Sequence, residues 1–475
     1  MRFTWWAVPL ASGGLIAAYP AAARSAGSQD VAAVLRQQRV LIEQQAAVLA
    51  AQQTELADLR SKVETLAARR EEPIASPQIR AAVSAPPVAA ALPSVAAPPA
   101  KSPPTQSAKA ENRDLRVKIG GWVQFDALYF PEARPGELED LLHPRLFSLD
   151  PAARGRDRIR LSARDTRINI DVARTTDIGD IRAVTEFDFF GNVVNNAQSQ
   201  LNSYEPRLRH AYFEWTDRSG RLSVLAGQSW STFANPSSYA VIYNPLPLGS
   251  VFVRQPQLRV TYRVASGMTV SAALENPQGD TAGASGGAMN EQFDSIPDIV
   301  LTGRLDRRWG SVQLGGLLRR IDETQPSGSA TVWGVSGSGT ILLPVLGATQ
   351  KLRFQGTYGT AVGRYIGELG AGFDGISAVG RPLQVERVFA GNVSYEHFFA
   401  PWISGTLQGS YVDVDGPDDM SAQSIDRVSA FAGNIVFHPV DALDLAVEHI
   451  RASRTDVGGG SANRRIVRFS GRYRF

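Results

Sequence analysis

Short segments of alternating apolar and polar residues follow one another from about Leu115 to the end of the chain, separated by polar, Gly-rich or Pro-rich breaks. In residues 117–129 the odd positions suit a lipid environment, whereas Lys118, Gln124 and Asp126 lie at even positions. Successive side chains of a β-strand point to opposite faces, so a period of two predicts strands. We predict sixteen strands, at residues 117–129, 161–174, 181–190, 207–215, 221–229, 257–264, 268–275, 299–307, 310–319, 330–341, 350–360, 385–397, 402–412, 425–437, 442–451 and 464–475.

The connections between these strands alternate in length. The tight ones are residues 175–180, 216–220, 265–267, 308–310, 398–401 and 438–441. The long ones are residues 131–160, 191–206, 231–256, 276–298 and 361–384. Bacterial outer-membrane barrels combine an even strand number with short periplasmic turns and longer external loops. The predicted fold class is therefore all-β: a 16-stranded antiparallel transmembrane β-barrel (residues 115–475) with both chain ends in the periplasm.

The last predicted strand shows the two faces most clearly. Val467, Phe469, Tyr473 and Phe475 share one face, and arginines crowd the other. A dry core would not accept so many charges, because an unpaired buried ion costs several kcal/mol. We therefore predict that the charged face lines a water-filled lumen, which is either an open channel or the plugged remnant of one. The arginines predicted to line the pore are Arg167, Arg254, Arg259, Arg263, Arg304, Arg353, Arg468 and Arg472.

The connection at residues 231–256 carries the most specific functional signal. It is the third external loop of the predicted barrel, the one that folds inward and forms the constriction in general porins. It contains no Asp or Glu, and its only charged residue is Arg254. With Arg167, Arg259 and Arg263 on the facing wall, the constriction is predicted to be positive and to favour anions. In the alternative, Arg254 and Arg259 pair with carboxylates of other loops and selectivity stays flat.

The N-terminal quarter has a different composition. Residues 1–23 have the charged start, apolar stretch and small-residue end of a secretory signal peptide. Residues 28–70 carry apolar heptads interrupted by Gln38, Gln45 and Gln52, which predicts a periplasmic coiled coil. A single amphipathic helix or a disordered segment is the alternative. Residues 71–114 are rich in Pro and Ala and are predicted to be a linker.

Composition excludes several other functions. The chain has no cysteine and only five scattered histidines, so we predict no metal site, no cofactor and no catalytic residues. Residues 227–231 look like a nucleophile elbow but lack its second glycine. The acidic residues at 413–419 could hold a divalent ion, although a solvated external loop is the preferred interpretation. A dispersed net charge of +3 gives no reason to expect nucleic-acid binding.

Five segments resemble the DcaP-like outer-membrane porins. They are residues 118–126 (KIGGWVQFD), 165–169 (DTRIN), 209–215 (RHAYFEW), 226–233 (AGQSWSTF) and 254–259 (RQPQLR). The resemblance extends over the signal peptide, coiled coil, linker and barrel. It implies a homotrimer joined by a periplasmic coiled coil and uptake of small anionic solutes such as dicarboxylates. It also implies that Arg167, Arg254 and Arg259 meet the solute.

The sequence thus predicts a porin of the Gram-negative outer membrane, surrounded by lipid and lipopolysaccharide, through which small organic anions diffuse passively. A porin that favours phosphate or sugars is the alternative within transport. A structural tether, in which the coiled coil contacts peptidoglycan and the barrel serves as its anchor, is the alternative of another class.

Overall fold

The computed structural model describes residues 115–134, 155–191, 204–244, 247–279, 281–283, 294–323, 328–345, 348–367, 369, 374–377, 382–418 and 420–475. The predicted signal peptide, coiled coil and linker lie outside these residues and remain predictions. No helix in the described ranges is long and apolar enough to cross a membrane.

The described residues are almost entirely β-structure. The strands are β1 Leu115–Ala133, β2 Arg156–Ser162, β3 Arg167–Thr176, β4 Gly179–Asp188, β5 Arg207–Thr216, β6 Leu222–Trp230, β7 Arg254–Ala265, β8 Met268–Glu275, β9 Thr281–Gly283, β10 Asp298–Arg307, β11 Gly310–Glu323, β12 Gly328–Val345, β13 Ala348–Thr360, β14 Gly375–Ser377, β15 Gln384–Val385, β16 Arg387–Ala400, β17 Ile403–Asp415, β18 Ile425–Val440, β19 Leu443–Asp456 and β20 Ser461–Arg474. Two 3₁₀ turns occupy Pro236–Ser238 and Gly363–Tyr365.

These strands close into an antiparallel barrel. Strand β1 pairs with β20 over residues 122–129, which joins the two edges of the sheet. Strands β2 and β3 both pair with β1, at residues 126–133 and 115–122, so together they make one barrel strand. A turn at residues 163–166, in which Thr166 N–H bonds the Ala163 carbonyl at 3.1 Å, separates them. The sequence prediction of a 16-stranded antiparallel barrel is confirmed. Strands β9, β14 and β15 form a separate small sheet.

The connections at the two ends of the barrel differ in length, as predicted, but some connections at the distal end are also short. At the end that carries Phe475, here the proximal end, β3 and β4 are joined through Asp177 and Ile178 alone. At the opposite, distal end, only four residues separate β11 from β12 and β19 from β20. The sequence analysis placed longer breaks there, between residues 319 and 330 and between 451 and 464. At these strand ends the outward residues are polar, as at Arg320, Asp322, Ser453 and Thr455, so the alternation that marks a strand fades before the strand ends.

One proximal turn shows how these short connections are held. The carboxylate of Asp217 accepts hydrogen bonds from the Ser219 hydroxyl (2.6 Å) and from the backbone N–H groups of Arg221 (2.8 Å) and Leu222 (3.0 Å). The hydrogen bonds from Ser219 and Leu222 lower the pKa of Asp217. These bonds satisfy the backbone donors of the turn and fix the register of β5 and β6.

The barrel is apolar outside and polar inside, the reverse of a soluble sheet protein. On β1 the outward side chains of Ile119 and Phe125 are 66% and 53% exposed. The inward side chains of Gln124 and Asp126 are 0% and 2% exposed. This alternation is the pattern of strands that face lipid on one side and the barrel interior on the other.

The interior is partly filled by apolar side chains, which agrees with the plugged form of the predicted lumen. A buried apolar cluster that includes Phe233, Val300 and Val388 fills part of it. A second cluster, which includes Leu128 and Leu248, fills another part. Both clusters form where chain segments from the distal end fold into the barrel and meet inward-facing aliphatic residues.

Candidate functional site: an arginine-lined constriction

The connection between β6 and β7, which the structure describes at residues 231–244 and 247–253, folds into the lumen. It is here called the constriction loop. Its first residues are fixed by Glu275 of β8. One carboxylate oxygen accepts a hydrogen bond from the Ser231 hydroxyl (2.6 Å), and the other accepts one from the Thr232 N–H (2.6 Å). The Phe233 side chain then enters the buried apolar cluster, with 1% exposure. The loop is therefore turned inward from its first residue.

The far part of the constriction loop is fixed to the opposite wall. The buried Glu448 carboxylate of β19 accepts hydrogen bonds from the backbone N–H groups of Tyr243 (2.6 Å) and Asn244 (2.9 Å). Arg468 of β20 donates to the Tyr243 carbonyl at 2.6 Å. Other wall side chains that bond the loop are Gln313, Thr340, Gln355, Asn392, Gln408 and Asn434. The loop has no acidic residue of its own, so every carboxylate that holds it lies on the wall.

A second segment, residues 361–367, also folds inward and packs on the constriction loop. Phe252 N–H bonds the Tyr365 carbonyl at 2.8 Å. Arg319 of β11 holds this segment in place, since it donates a hydrogen bond to the Ala361 carbonyl. Arg319 is itself paired with Asp298 and with Asp374, both at 3.0 Å. The Tyr365 hydroxyl donates to Asp298 at 2.6 Å. The sequence analysis predicted a long connection here but not its inward course.

A cavity of about 310 Å³ remains between the constriction loop and the wall built by β20, β1 and β3–β6. Arg167, Arg209 and Arg472 line its wall side, together with the carboxylates of Asp165 and Glu186. The other lining residues are Trp122, His210, Trp230, Pro236, Tyr239, Ala240, Ile242, Tyr243, Asn244, Pro247 and Phe252. This cavity therefore lies where the inward-folded loop faces the charged wall of the barrel.

Aromatic rings position two of these arginines. The guanidinium carbons of Arg167 and Arg472 lie 4.1 and 4.8 Å from the ring centre of Trp122. Arg472 also lies 4.6 Å from the ring centre of Tyr243, so it bridges the wall and the constriction loop. The Trp122 ring is itself fixed by a 2.6 Å hydrogen bond from Nε1 to the Asp165 carbonyl. Stacking of this kind orients a guanidinium without neutralising its charge.

Arg254, beside the cavity, is not matched by a carboxylate. Its guanidinium carbon lies 4.3 Å from the ring centre of Trp230 and 5.2 Å from that of Phe252. None of the ion pairs among the described residues involves Arg254, and its buried Nη1 has no hydrogen-bond partner there. By contrast, the three arginines that line the cavity all have carboxylate partners. Arg209 pairs with Glu186 at 2.6 Å and with Asp188 at 2.7 Å, Arg167 lies 3.6 Å from Glu186, and Arg472 lies 3.8 Å from Asp165. The surroundings of the cavity therefore contain more arginines than carboxylates.

Comparison with solved structures identifies the fold. The outer membrane channel DcaP of Acinetobacter baumannii matches with a TM-score of 0.65 at 20% identity, over 77% of this chain and 99% of that one. The chain has the fold of an outer-membrane porin. An anion-selective porin from Comamonas acidovorans matches with a TM-score of 0.50 at 10% identity, over 76% of this chain and all of that one. OmpT of Vibrio cholerae, in its trimer form, matches with a TM-score of 0.46 at 12% identity, over 76% of this chain and all of that one. No protein-family model and no curated protein matches the chain.

Within this porin fold, three of the eight predicted arginines meet at the cavity. Arg167 and Arg472 line it, and Arg254 stacks on two of its lining aromatic rings. The hypothesis that Arg254 and Arg259 are neutralised by carboxylates finds no such pair among the described residues.

Two predicted arginines are buried in the inner wall instead. Arg468 is 1% exposed, lies 3.7 Å from Asp126 and holds the Tyr243 carbonyl, so its contacts are with the loop. Arg353 is buried against Glu396 at 2.9 Å. The structure does not bring either side chain to the cavity.

The remaining three lie elsewhere on the inner wall. Arg304 pairs with Asp306 at 2.9 Å and donates to the Ser237 hydroxyl at 3.1 Å, so it braces the constriction loop. Arg259 is partly buried on β7, and Arg263 is exposed near the proximal end of that strand. None of the three lines the cavity.

The sequence analysis did not assign Trp122, Arg209, His210 or Trp230 to the site, although all four lie in motifs that it singled out. A β-bulge is the reason why the alternation pattern did not predict Arg209 as a site residue. The pairing of β4 with β5 slips after Glu186 and His210, so that Arg209 is an extra residue. Strict alternation would turn Arg209 and His210 to opposite faces, whereas both line the cavity.

The acidic residues near position 413 are engaged in ion pairs. Asp413 lies 3.3 Å from Arg427, and Asp415 lies 2.6 Å from Arg387. Asp419 lies outside the described residues. Within the described part of the chain, no group of three or more His, Asp or Glu side chains is arranged to hold a metal ion.

Proposed function

We propose that the protein is a passive diffusion porin of the Gram-negative outer membrane that favours small organic anions with one or more carboxylates. The observation that carries this proposal is the excess of guanidinium groups at the cavity between the constriction loop and the barrel wall. Three arginines and two carboxylates line it, and Arg254 lies beside it without an ion-pair partner in the described residues. The porin fold supports the same function.

The arrangement explains how an anion could pass without being trapped. The low-dielectric walls focus the positive potential of the arginines into the cavity and raise the local anion concentration. A carboxylate exchanges part of its hydration shell for hydrogen bonds from guanidinium groups. Because several arginines share the solute and each keeps other contacts, binding stays weak enough for release. The step involves no covalent chemistry, and the solute gradient drives it.

The geometry gives less support to a sugar-favouring porin. Sugar sites commonly use exposed aromatic faces, but here guanidinium groups lie over the rings of Trp122 and Trp230. Those ring faces are in contact with guanidinium groups and are not open to a sugar. Phosphate remains compatible with the same guanidinium groups, and the transport assay below distinguishes it from carboxylates.

The proposal is tested by the flux of succinate and of uncharged succinamide into proteoliposomes, with phosphate as a third solute. We expect succinate to enter faster than succinamide and phosphate. Arg254→Gln should reduce succinate entry and leave succinamide entry unchanged. The matched control is Arg263→Gln on the same strand, away from the cavity, which should change neither. Equal entry of succinate and succinamide through the unmodified protein would contradict the proposal.

We further propose that residues 28–70 form the periplasmic coiled coil and join three copies of the chain. Removal of these residues should convert the purified trimer to separate barrels, as measured by light scattering. If the trimer persists and envelope cohesion weakens, the tether to peptidoglycan becomes the better account of this segment.

A further inference from the structure

The two sides of the constriction cavity differ in chemistry. The wall side presents Arg167, Arg209 and Arg472. The loop side presents Ala240 and Ile242, together with aromatic rings of the constriction loop. The wall side also presents the carboxylates of Asp165 and Glu186, and the loop side presents the side chain of Asn244. A solute in this cavity therefore meets charged groups on one side and a mainly apolar surface on the other.

The polar atoms of the loop-side aromatic residues are already engaged. The Tyr239 hydroxyl donates to the Val251 carbonyl at 2.5 Å. The Tyr243 hydroxyl donates to Asp444 at 3.1 Å. What these residues offer the cavity is the apolar part of their rings, and Phe252 adds a third ring without polar atoms. The apolar character of the loop side is thus fixed by contacts outside the cavity.

We propose that this constriction selects, among anions of equal charge and similar size, those with a carboxylate at one edge and an apolar body. This inference rests on the proposed anion preference and refines it. An apolar body gains from leaving water against Ile242 and the rings, whereas hydroxyl groups there would lose hydrogen bonds to water without replacement. A second carboxylate is accommodated only where it reaches the same arginine side.

The size of the cavity suits this selection. A volume of about 310 Å³ lies at the lower end of the range for small-molecule sites, about 300–1,000 Å³. A small solute in such a space contacts both sides at once. The preference for anions with an apolar body should therefore appear both in the binding affinity and in the rate of permeation.

The test compares butyrate with glycerate, two monocarboxylates of similar size, as inhibitors of the chloride current through the full-length protein in planar bilayers. We expect butyrate to halve the current at a concentration about fourfold lower or more, the factor that burial of one methylene group supplies. The series acetate, propionate and butyrate should show rising affinity with each methylene. Ile242→Asn should bring the butyrate and glycerate values together. The matched control, Val241→Asn, alters the neighbouring residue, which does not line the cavity, and should preserve the difference.

The outcomes separate this inference from the proposed function. If potassium and chloride permeate equally, the anion preference itself fails. If chloride is favoured but butyrate and glycerate act at equal concentrations, only the present inference is overturned. If Ile242→Asn does not assemble into channels, the acetate-to-butyrate series through the unmodified protein decides, and a flat series overturns the inference.

Discussion

Replacing Glu448 by glutamine should loosen the far part of the constriction loop while leaving the barrel intact. The Glu448 carboxylate accepts the N–H groups of Tyr243 and Asn244 through its two oxygens, at 2.6 and 2.9 Å. It also accepts the side-chain amide of Asn434 at 3.2 Å. Glutamine has a single acceptor oxygen, and its amide group would face another donor. One of the two backbone N–H groups is therefore left without a partner.

The magnitude follows from the bonds that change. A hydrogen bond to a charged group contributes about 1.5–3 kcal/mol, and a neutral one about 1 kcal/mol. Loss of one charged bond and weakening of the other would cost about 2–4 kcal/mol, partly offset because a buried carboxylate is itself costly. We take about 2 kcal/mol, which lowers the ratio of attached to detached loop about thirtyfold. The ladder between β19 and its neighbours does not depend on this side chain.

The assay is single-channel recording in planar bilayers, together with thermal unfolding in detergent. Glu448→Gln should show larger conductance, added current noise and weaker anion selectivity at a nearly unchanged unfolding temperature. Glu396→Gln is the matched control, because Glu396 is also buried on the inner wall but pairs with Arg353 and Lys351. If Glu448→Gln and Glu396→Gln give the same conductance and noise as the unmodified protein, the anchoring role of Glu448 is wrong.

Three further substitutions test other parts of the account. Trp122→Ala removes no charge but should weaken anion selectivity, because Arg167 and Arg472 each lose a stacking contact of about 0.5–2 kcal/mol. The zero-current potential measures this selectivity. Trp122→Phe keeps an aromatic ring and should retain most of the selectivity. Arg319→Ala leaves two buried carboxylates without their shared partner, so the free energy of unfolding should fall by about 3–5 kcal/mol. Conductance should rise as residues 361–367 detach. An unchanged melting temperature would argue against the role of Arg319 in holding this segment. Gly121→Ala should impair assembly, because Gly121 has φ +142° and an added Cβ would lie 2.1 Å from a backbone carbonyl oxygen. The heat-dependent mobility shift of the folded barrel in gels measures assembly. Normal assembly would show that the strand can shift at this point.

The barrel was predictable because its outer and inner faces impose opposite chemistry on every second residue. The inward positions of Gln124 and Asp126 and the outward positions of Val123 and Phe125 follow from this alternation alone. The rule needs only neighbouring residues, so it works wherever the strand is regular and lies at membrane depth.

The composition of the site was only partly predictable, because alternation gives the face of a residue and not its surroundings. Arg468 and Arg472 lie on the same face of β20, four residues apart. One is buried behind the constriction loop and the other lines the cavity. Only the path of the loop across the lumen separates the two roles, and that path depends on contacts between residues as distant as Tyr243 and Glu448.

Irregular backbone accounts for the other differences. The inward course of residues 361–367 has no periodic signal, since it depends on the bond between Tyr365 and Asp298 and on the ion pairs of Arg319. The bulge at Glu186 changes the alternation locally and brings Arg209 to the cavity. Both features place functional side chains where strict alternation would not.

The zero-current potential of the reconstituted protein across a potassium chloride gradient tests the central claim most directly. The account predicts the sign of a chloride-preferring channel, and a shift toward potassium when Arg254 is replaced by glutamine. A potassium-preferring sign, or a chloride preference that Arg254→Gln leaves unchanged, would contradict the assignment of selectivity to the arginines of this constriction.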